Sequence, residues 1–555
     1  MKKAALFMLS LIIASSMAAC ESGTKSTGGN VTTDGGTAGN DAIVDGKMKD
    51  EVVFSIPKVV DPNAKQGAGN LPAGDSNDNN QFTRYVKEKL NISFEAAFTT
   101  APEAYDQKLS LAMASNELPD VTVIAEADFK KLVENGQVED LTAVYNKYAS
   151  PILKKIYDST NGRSLNQATV DGKLMAIPNV NTMADFTNML WVRKDWLDKL
   201  GLKEPKTLDD IITVAKAFIE KDPDGNGQAD TMGLPGPSKN SALVTNDKNH
   251  YFGFEQIFAL DQAFPGMWVK NDKGEIEYGS IQPEAKKGLG ILQKMYNEGV
   301  IDKQFAFRDD PSQYVKSGKA GMFFGPWWMP LGMLQDAVKN DPKAEWISVL
   351  APFGADGTFT SNRGSASGDF VVLKKGFKHP EALILYMNLY GANLVGEDPE
   401  GGQKLDPNVD LGYWPIRMTL EYGDKVERTS IEVQSVIDGK NKPESLDPVK
   451  KTIYEAYLRD QQNPRKVVPD WALSASWLAS GKVLSQPIKI VNNEFTGTTE
   501  SMIQKWATLS KLENETYLKI VMGQLDISAF DDFAKKWTEL GGEQVTQEIR
   551  ELAGK

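Results

Sequence analysis

Short apolar runs and amphipathic stretches take turns through this sequence, and that alternation constrains its fold more than any other feature. Glu51-Val52-Val53-Phe54-Ser55-Ile56 reads as a strand, followed by a polar loop over residues 67–80 and a helix with Phe82, Val86 and Leu90 on one face. Residues 92–98 alternate as a second strand and 106–114 read as helix. Asn116-Glu117-Leu118-Pro119-Asp120 then turns into Val121-Thr122-Val123-Ile124. Strands and helices at this spacing predict βαβ units and a mostly parallel sheet. The pattern resumes with Leu190-Trp191-Val192-Arg193 and a helix over 195–200 that Gly201 stops. Thr207-Leu208-Asp209-Asp210 caps the next helix, and residues 281–296, 379–390 and 530–540 read as further amphipathic helices. At 555 residues the chain is too long for one core, so at least two α/β domains are expected.

One run stands out: Gly318-Lys319-Ala320-Gly321-Met322-Phe323-Phe324-Gly325-Pro326-Trp327-Trp328. A helical segment over 312–316 leads into a short buried strand, and Gly325-Pro326 breaks it before two tryptophans. In open α/β sheets ligands sit beyond the carboxyl ends of the strands. Two indoles there offer apolar faces with a polar edge, which suit a sugar ring; the other reading is that they close a core. Tyr251, Trp268, Trp414 and Trp471 are further aromatics in predicted loops. Polar partners are expected from Arg363 and Asp369, in a Gly/Ser-rich stretch, and from Asn79 and Asp128, near early strand–helix turns.

The amino terminus reads as an export signal over residues 1–20, with Lys2-Lys3, an apolar stretch and Met17-Ala18-Ala19-Cys20. Cys20 is the only cysteine, so no internal disulfide forms. Residues 21–49, rich in Ser, Gly, Thr and Asn, read as a flexible tether. The formal charge of −13 becomes −15 once Lys2 and Lys3 are lost with the signal. That field opposes nucleic acid.

Asp222-Pro223-Asp224-Gly225-Asn226-Gly227-Gln228-Ala229-Asp230 places oxygen side chains at loop positions 1, 3, 5 and 9. Gly227 supplies the turn at position 6, and Gln228 presents its carbonyl at position 7, the spacing of an EF-hand-type Ca²⁺ loop. Position 12, usually a bidentate Glu, is Gly233. A structural calcium ion is expected at Asp222, Asp224, Asn226, Gln228 and Asp230. Enzyme signatures are thin: two histidines without metal-ligand spacing, no P-loop, no nucleophile elbow and no His-Glu-x-x-His.

Together these segments resemble the extracellular solute-binding proteins, family 1, of carbohydrate ABC transporters. The likeness is to the lipoprotein branch near the alginate-oligosaccharide-binding proteins, and more distantly to maltose-binding protein. It rests on Leu118-Pro119-Asp120-Val121, Asp171-Gly172-Lys173-Leu174-Met175-Ala176-Ile177-Pro178, Trp191-Val192-Arg193-Lys194-Asp195-Trp196-Leu197, the calcium loop, residues 318–328 and the ending 533–542. Ala18-Ala19-Cys20 resembles a lipobox, with Met17 where leucine is usual. The resemblance implies a two-lobed type II periplasmic-binding-protein fold, with hinge strands and an interlobe cleft. The lobes would be 50–185 with 357–411, and 186–356 with 412–555. Trp327 matches a sugar-stacking tryptophan of the maltose-binding relative, and Tyr251-Phe252 after Ser241-Ala242-Leu243 resembles its aromatic pair. The implied protein is a monomeric, lipid-anchored receptor on the outer face of the cell membrane, not an enzyme, that delivers an oligosaccharide to a permease. Two rivals stay open: a secreted polysaccharide-degrading enzyme, and a receptor or sensor for a non-sugar ligand.

Overall fold

The computed structural model describes residues 42–60, 71–245 and 250–553. The export signal, Cys20 and most of the tether lie outside them. Among the described residues no helix is long and apolar enough to cross a membrane. In chain order the strands that position the site are β1 (Val52–Val59), β2 (Ile92–Thr100), β3 (Val121–Ala125), β4 (Ile177–Pro178) and β5 (Met189–Arg193). They continue as β6 (Met322–Gly325), β7 (Trp346–Val349), β8 (Thr360–Arg363), β9 (Asp369–Leu373) and β10 (Lys489–Asn492).

In the first lobe β1 and β2 run parallel, with a register shift at Ile56/Pro57, where proline has no N–H to donate. Ser55 ties β1 to the foot of β3: its N–H and hydroxyl donate to the Asp120 carboxylate at 2.9 and 2.7 Å. Helix α1 (Gln81–Leu90) starts at Asn80, whose side chain accepts from two backbone N–H groups, and it buries Phe82, Tyr85, Val86 and Leu90. The sheet is less parallel than expected. β9 runs antiparallel to both β3 and β4, because it belongs to the chain's second visit to this lobe.

In the second lobe β5 lies between β6 and β7, antiparallel to both. Parallel bridges join Met232 to Ala320 and Leu234 to Ile301. β5 is buried on both faces: Leu190 and Val192 join one core, Met189 and Trp191 the other. That explains its unbroken apolar run.

The first core draws on residues 48–180 and 370–422, and the second lobe's cores on 184–359 and 426–549. The chain therefore passes between lobes near 180–184, 359–370 and 422–426. The last two crossings differ from the expected 357 and 412. Trp414, Ile416, Met418 and Leu420 pack in the first core, and Tyr386 and Tyr390 donate to the Ile416 and Met418 carbonyls at 2.6 Å each. At the middle crossing β8 pairs in parallel with β10. Just beyond β10, Thr496 accepts from Gln167 at 3.2 Å and donates to the Glu126 carboxylate at 3.3 Å, while Lys130 lies over the Phe495 ring. These contacts link the second lobe's last segment to the first lobe.

Candidate functional site

Strand β6 delivers the tryptophan pair. All four of its residues are buried, and Pro326 ends it, its carbonyl accepting from the Trp191 indole at 3.1 Å. Trp327 turns toward the lobe crossing and is 5% exposed. Its indole N–H donates to Asp185 Oδ1 at 2.7 Å, and Trp477 meets it edge-on at 4.5 Å. Trp328, half-buried, stands perpendicular to Tyr251 at 6.0 Å. Tyr251 is 37% exposed, and the Phe252 N–H, bonded to the Phe324 carbonyl at 2.8 Å, keeps this aromatic pair beside β6. Trp327, Trp328 and Tyr251 are thus brought together.

Trp268 and Trp414 are not part of that group. Trp268 opens a short strand, is 2% exposed and packs among Tyr278, Trp506 and Trp537 in the second lobe. Trp414 is 3% exposed and stacks on Phe82 at 4.9 Å. The neighbouring Gly and Pro residues that marked both as loop positions do shape turns, but the ring area is large enough to draw each indole into a core. Trp471 is buried as well. Trp414 also forms part of the wall of a first-lobe cavity of about 1110 Å³, between the end of β1, residues 71–78 and residues 410–417; Trp327 is not in that wall.

Of the polar candidates, Arg363 ends β8 at the middle crossing, and the charge of Glu427 acts on it. Burial pushes the Glu427 carboxyl up; Arg363 opposes this, while Asp424 and Asp185 add to it. Trp327, Asp185, Glu427 and Arg363 therefore form one electrostatic neighbourhood built from all three crossings. Arg163 joins it, donating to the Gly364 carbonyl at 3.2 Å. Asp369 is exposed at the start of β9. Asn79 accepts from Arg84 at 3.1 Å and Asp128 pairs with Lys131 at 3.1 Å, so both are engaged within the first lobe. Sequence reasoning missed Asp185, Trp477, Glu427 and Arg163 as site residues. The one available signal was that the expected lobe boundary fell on Asp185.

The loop 222–230 folds as a tight turn, with positive φ at Asp222 (48°), Gly225 (74°) and Gly227 (76°). Asp222 accepts from the N–H groups of Gly225, Asn226 and Gly227 at 3.0–3.2 Å. The Asn226 amide nitrogen bridges the Asp224 and Asp230 carboxylates at 2.8 and 3.1 Å. Lys319 pairs with Asp230 at 3.1 Å, and Lys199 donates to the Pro223 carbonyl at 2.8 Å. Burial and the adjacent Asp222 carboxyl push the Asp224 pKa up. Its hydrogen bond with Asp224 and those from the loop N–H groups hold Asp222 down. Among the described residues no three His, Cys, Asp or Glu side chains are arranged to hold a metal by themselves. Amide and carbonyl oxygens must complete any such site. Position 12 cannot help, since a Cβ on Gly233 would lie 2.3 Å from the Val300 carbonyl oxygen.

Residues 68–393 match the family described as bacterial extracellular solute-binding protein. Over 489 residues the chain is 26% identical to the polygalacturonan/rhamnogalacturonan-binding protein YtcQ of Bacillus subtilis (strain 168), covering 84% of this chain and 86% of that one. The alginate-binding protein AlgQ2, in a crystal structure without calcium ion, shares the fold with a TM-score of 0.54 at 17% identity, over 92% of this chain and 99% of that one. An EF-hand mutant of the Streptococcus pneumoniae ABC-transporter substrate-binding protein FusA, in complex with fructo-nystose, matches with a TM-score of 0.54 at 16% identity, over 90% and 99%. The two lobes and three crossings are therefore those of a type II binding-protein fold with an interlobe cleft. With the family match spanning more than half of its length, the chain belongs to the bacterial extracellular solute-binding proteins.

Proposed function

We propose that this protein is a lipid-anchored receptor that captures an oligosaccharide between its lobes and delivers it to an ABC-transporter permease. The observation that carries this reading is the aromatic group at the crossing, Trp327, Trp328, Tyr251 and Trp477, set beside the carboxylates of Asp185 and Glu427. Indole and phenol faces cover the C–H faces of sugar rings, and the acids accept from hydroxyls. The relatives named for polygalacturonan, alginate and fructo-nystose support a sugar ligand. Closure turns occupancy into a shape that the permease reads, and no covalent bond changes. Both histidines are engaged by neighbours, His250 with Glu255 at 2.6 Å and His379 with Glu381 at 3.1 Å. The receptor acts as a monomer.

A calcium ion fits the loop as a structural element. Asp222, Asp224 and Asp230, the Asn226 side chain and the Gln228 carbonyl would hold it, and its charge would relieve the repulsion among the three acids. The FusA EF-hand and the calcium named with AlgQ2 support this assignment. Anchoring rests on Cys20, which lies outside the described residues; Cys20→Ser should release the protein or leave it unprocessed, and unchanged membrane retention would refute it. For capture itself, calorimetry against neutral and acidic oligosaccharides decides. Trp328→Ala or Tyr251→Ala should weaken the cognate sugar tenfold or more, and affinities within twofold of wild type would discard the aromatic assignment.

A further inference from the structure

Arg163 and Arg363 form an unusual pair. Arg163 reaches the middle crossing from the first lobe and bonds the carbonyl of Gly364, the residue next to Arg363. Arg163 thus reaches the backbone beside Arg363, close enough for its charge to disfavour that of Arg363. Among the described residues Arg363 makes no ion pair and no side-chain hydrogen bond, and its Nε is buried without a partner. Arg163 spends one N–H on a neutral carbonyl and, among the described residues, forms no ion pair. The acids nearby do not settle the pair. Glu427 acts on Arg363 only through space, its own Oε2 lacks a partner, and burial favours its neutral form. Glu494, whose charge acts on Arg163, is paired with Lys270 at 3.0 Å. Desolvated, mutually repelling cations without counter-ions are costly, and a chain with 75 acidic residues could readily have supplied one.

We infer that the missing counter-ion arrives with the ligand: the captured oligosaccharide carries a carboxylate, as a uronate does, and Arg163 and Arg363 bind it together at the lobe crossing. Guanidinium forks suit a planar carboxylate, and two of them from opposite sides of the middle crossing make the acid group a bridge between segments that closure brings together. Glu427 then faces the ring hydroxyls. This deepens the proposed function and rests on it.

Calorimetry with oligogalacturonates, their fully methyl-esterified counterparts and neutral fructo-oligosaccharides tests the inference on the wild-type protein. Oligogalacturonate should bind at least tenfold tighter than its ester, with an affinity that falls as salt rises. Arg163→Gln and Arg363→Gln should each cost tenfold or more for the acid and under threefold for the ester, and neither should lower the melting temperature of the ligand-free protein, since each removes part of the repulsion. Equal affinity for acid and ester, or preference for the neutral oligomers, overturns the inference and leaves sugar capture standing. Absence of binding by all three overturns both.

Discussion

Two clusters of like charge sit in this molecule, and they are built in opposite ways. Asp222, Asp224 and Asp230 crowd together within nine residues on an exposed turn, and lysines at the rim and backbone N–H groups hold them there. Arg163 and Arg363 stand two hundred residues apart in sequence, are partly buried, and come near each other only because the chain crosses between lobes. Repulsion at a wet surface is screened and cheap, so the acidic turn persists with or without a cation. Repulsion in a desolvated crossing is not, so the arginine pair needs packing around it strong enough to keep it in place. The difference teaches where to look for energetic consequence: removing the packing around the crossing should be expensive, and substitutions on the turn mild.

The largest expected effect comes from Trp327→Ala, which removes a buried indole, its bond to Asp185 and its contact with Trp477. A loss of roughly 3–5 kcal/mol in urea unfolding is expected; a loss under about 1 kcal/mol would make the crossing as forgiving as the turn. Next is a buried acid whose polar partners are present. Glu513 accepts from Tyr278 and Ser280 at 2.8 and 2.7 Å, and burial pushes its pKa up to about 7. Because the folded-state pKa lies above the unfolded one, the contribution is fully present at pH 4 and is lost as pH rises through about 7. On the order of 3 kcal/mol should disappear over that window. Glu513→Gln should flatten the profile, and an unchanged profile would assign the pH dependence elsewhere.

Calcium at a hundredfold excess over its dissociation constant should add about 2.7 kcal/mol to stability by mass action. Asp224→Ala should abolish that gain while leaving the metal-free protein nearly as stable as wild type. A melting temperature indifferent to chelator would remove calcium from the turn. Smallest is Lys319→Ala, which takes the exposed partner from Asp230 and should cost less than about 1 kcal/mol in the metal-free protein. A larger loss would mean that the turn, too, depends on a specific charge partner.

The same contrast explains what could be read from the sequence. The acidic turn was legible because its groups are contiguous, and β1, β3, β5 and β6 were legible because buried strands leave apolar runs of the right length. Most of the crossing was not, because the residues around Trp327, namely Asp185, Trp477, Glu427 and Arg163, come from four separated segments with no local pattern. Trp414 shows a signal that was present but unread. Trp414, Ile416, Met418 and Leu420 recur at every second residue, the period of an extended segment with one buried face, and that argues for the first-lobe core over a ligand-facing loop. Trp268 carried no such clue, and its partners Trp506 and Trp537 lie more than two hundred residues away.

The contacts that Thr496 makes on the first lobe bear on rate. Its two hydrogen bonds, at 3.2 and 3.3 Å, join a hydroxyl to an amide and to a carboxylate, and the neighbouring Phe495 is held by a lysine over its ring. Each is worth about 1 kcal/mol, and water can replace the polar partners as they separate. A parallel ladder joins strands β8 and β10, so a turn of the lobes about the crossings would leave each core intact. A motion that exchanges a few weak contacts for water has a low barrier and belongs to the microsecond-to-millisecond range of hinge movements. Relaxation dispersion on the Thr496 methyl group would time it.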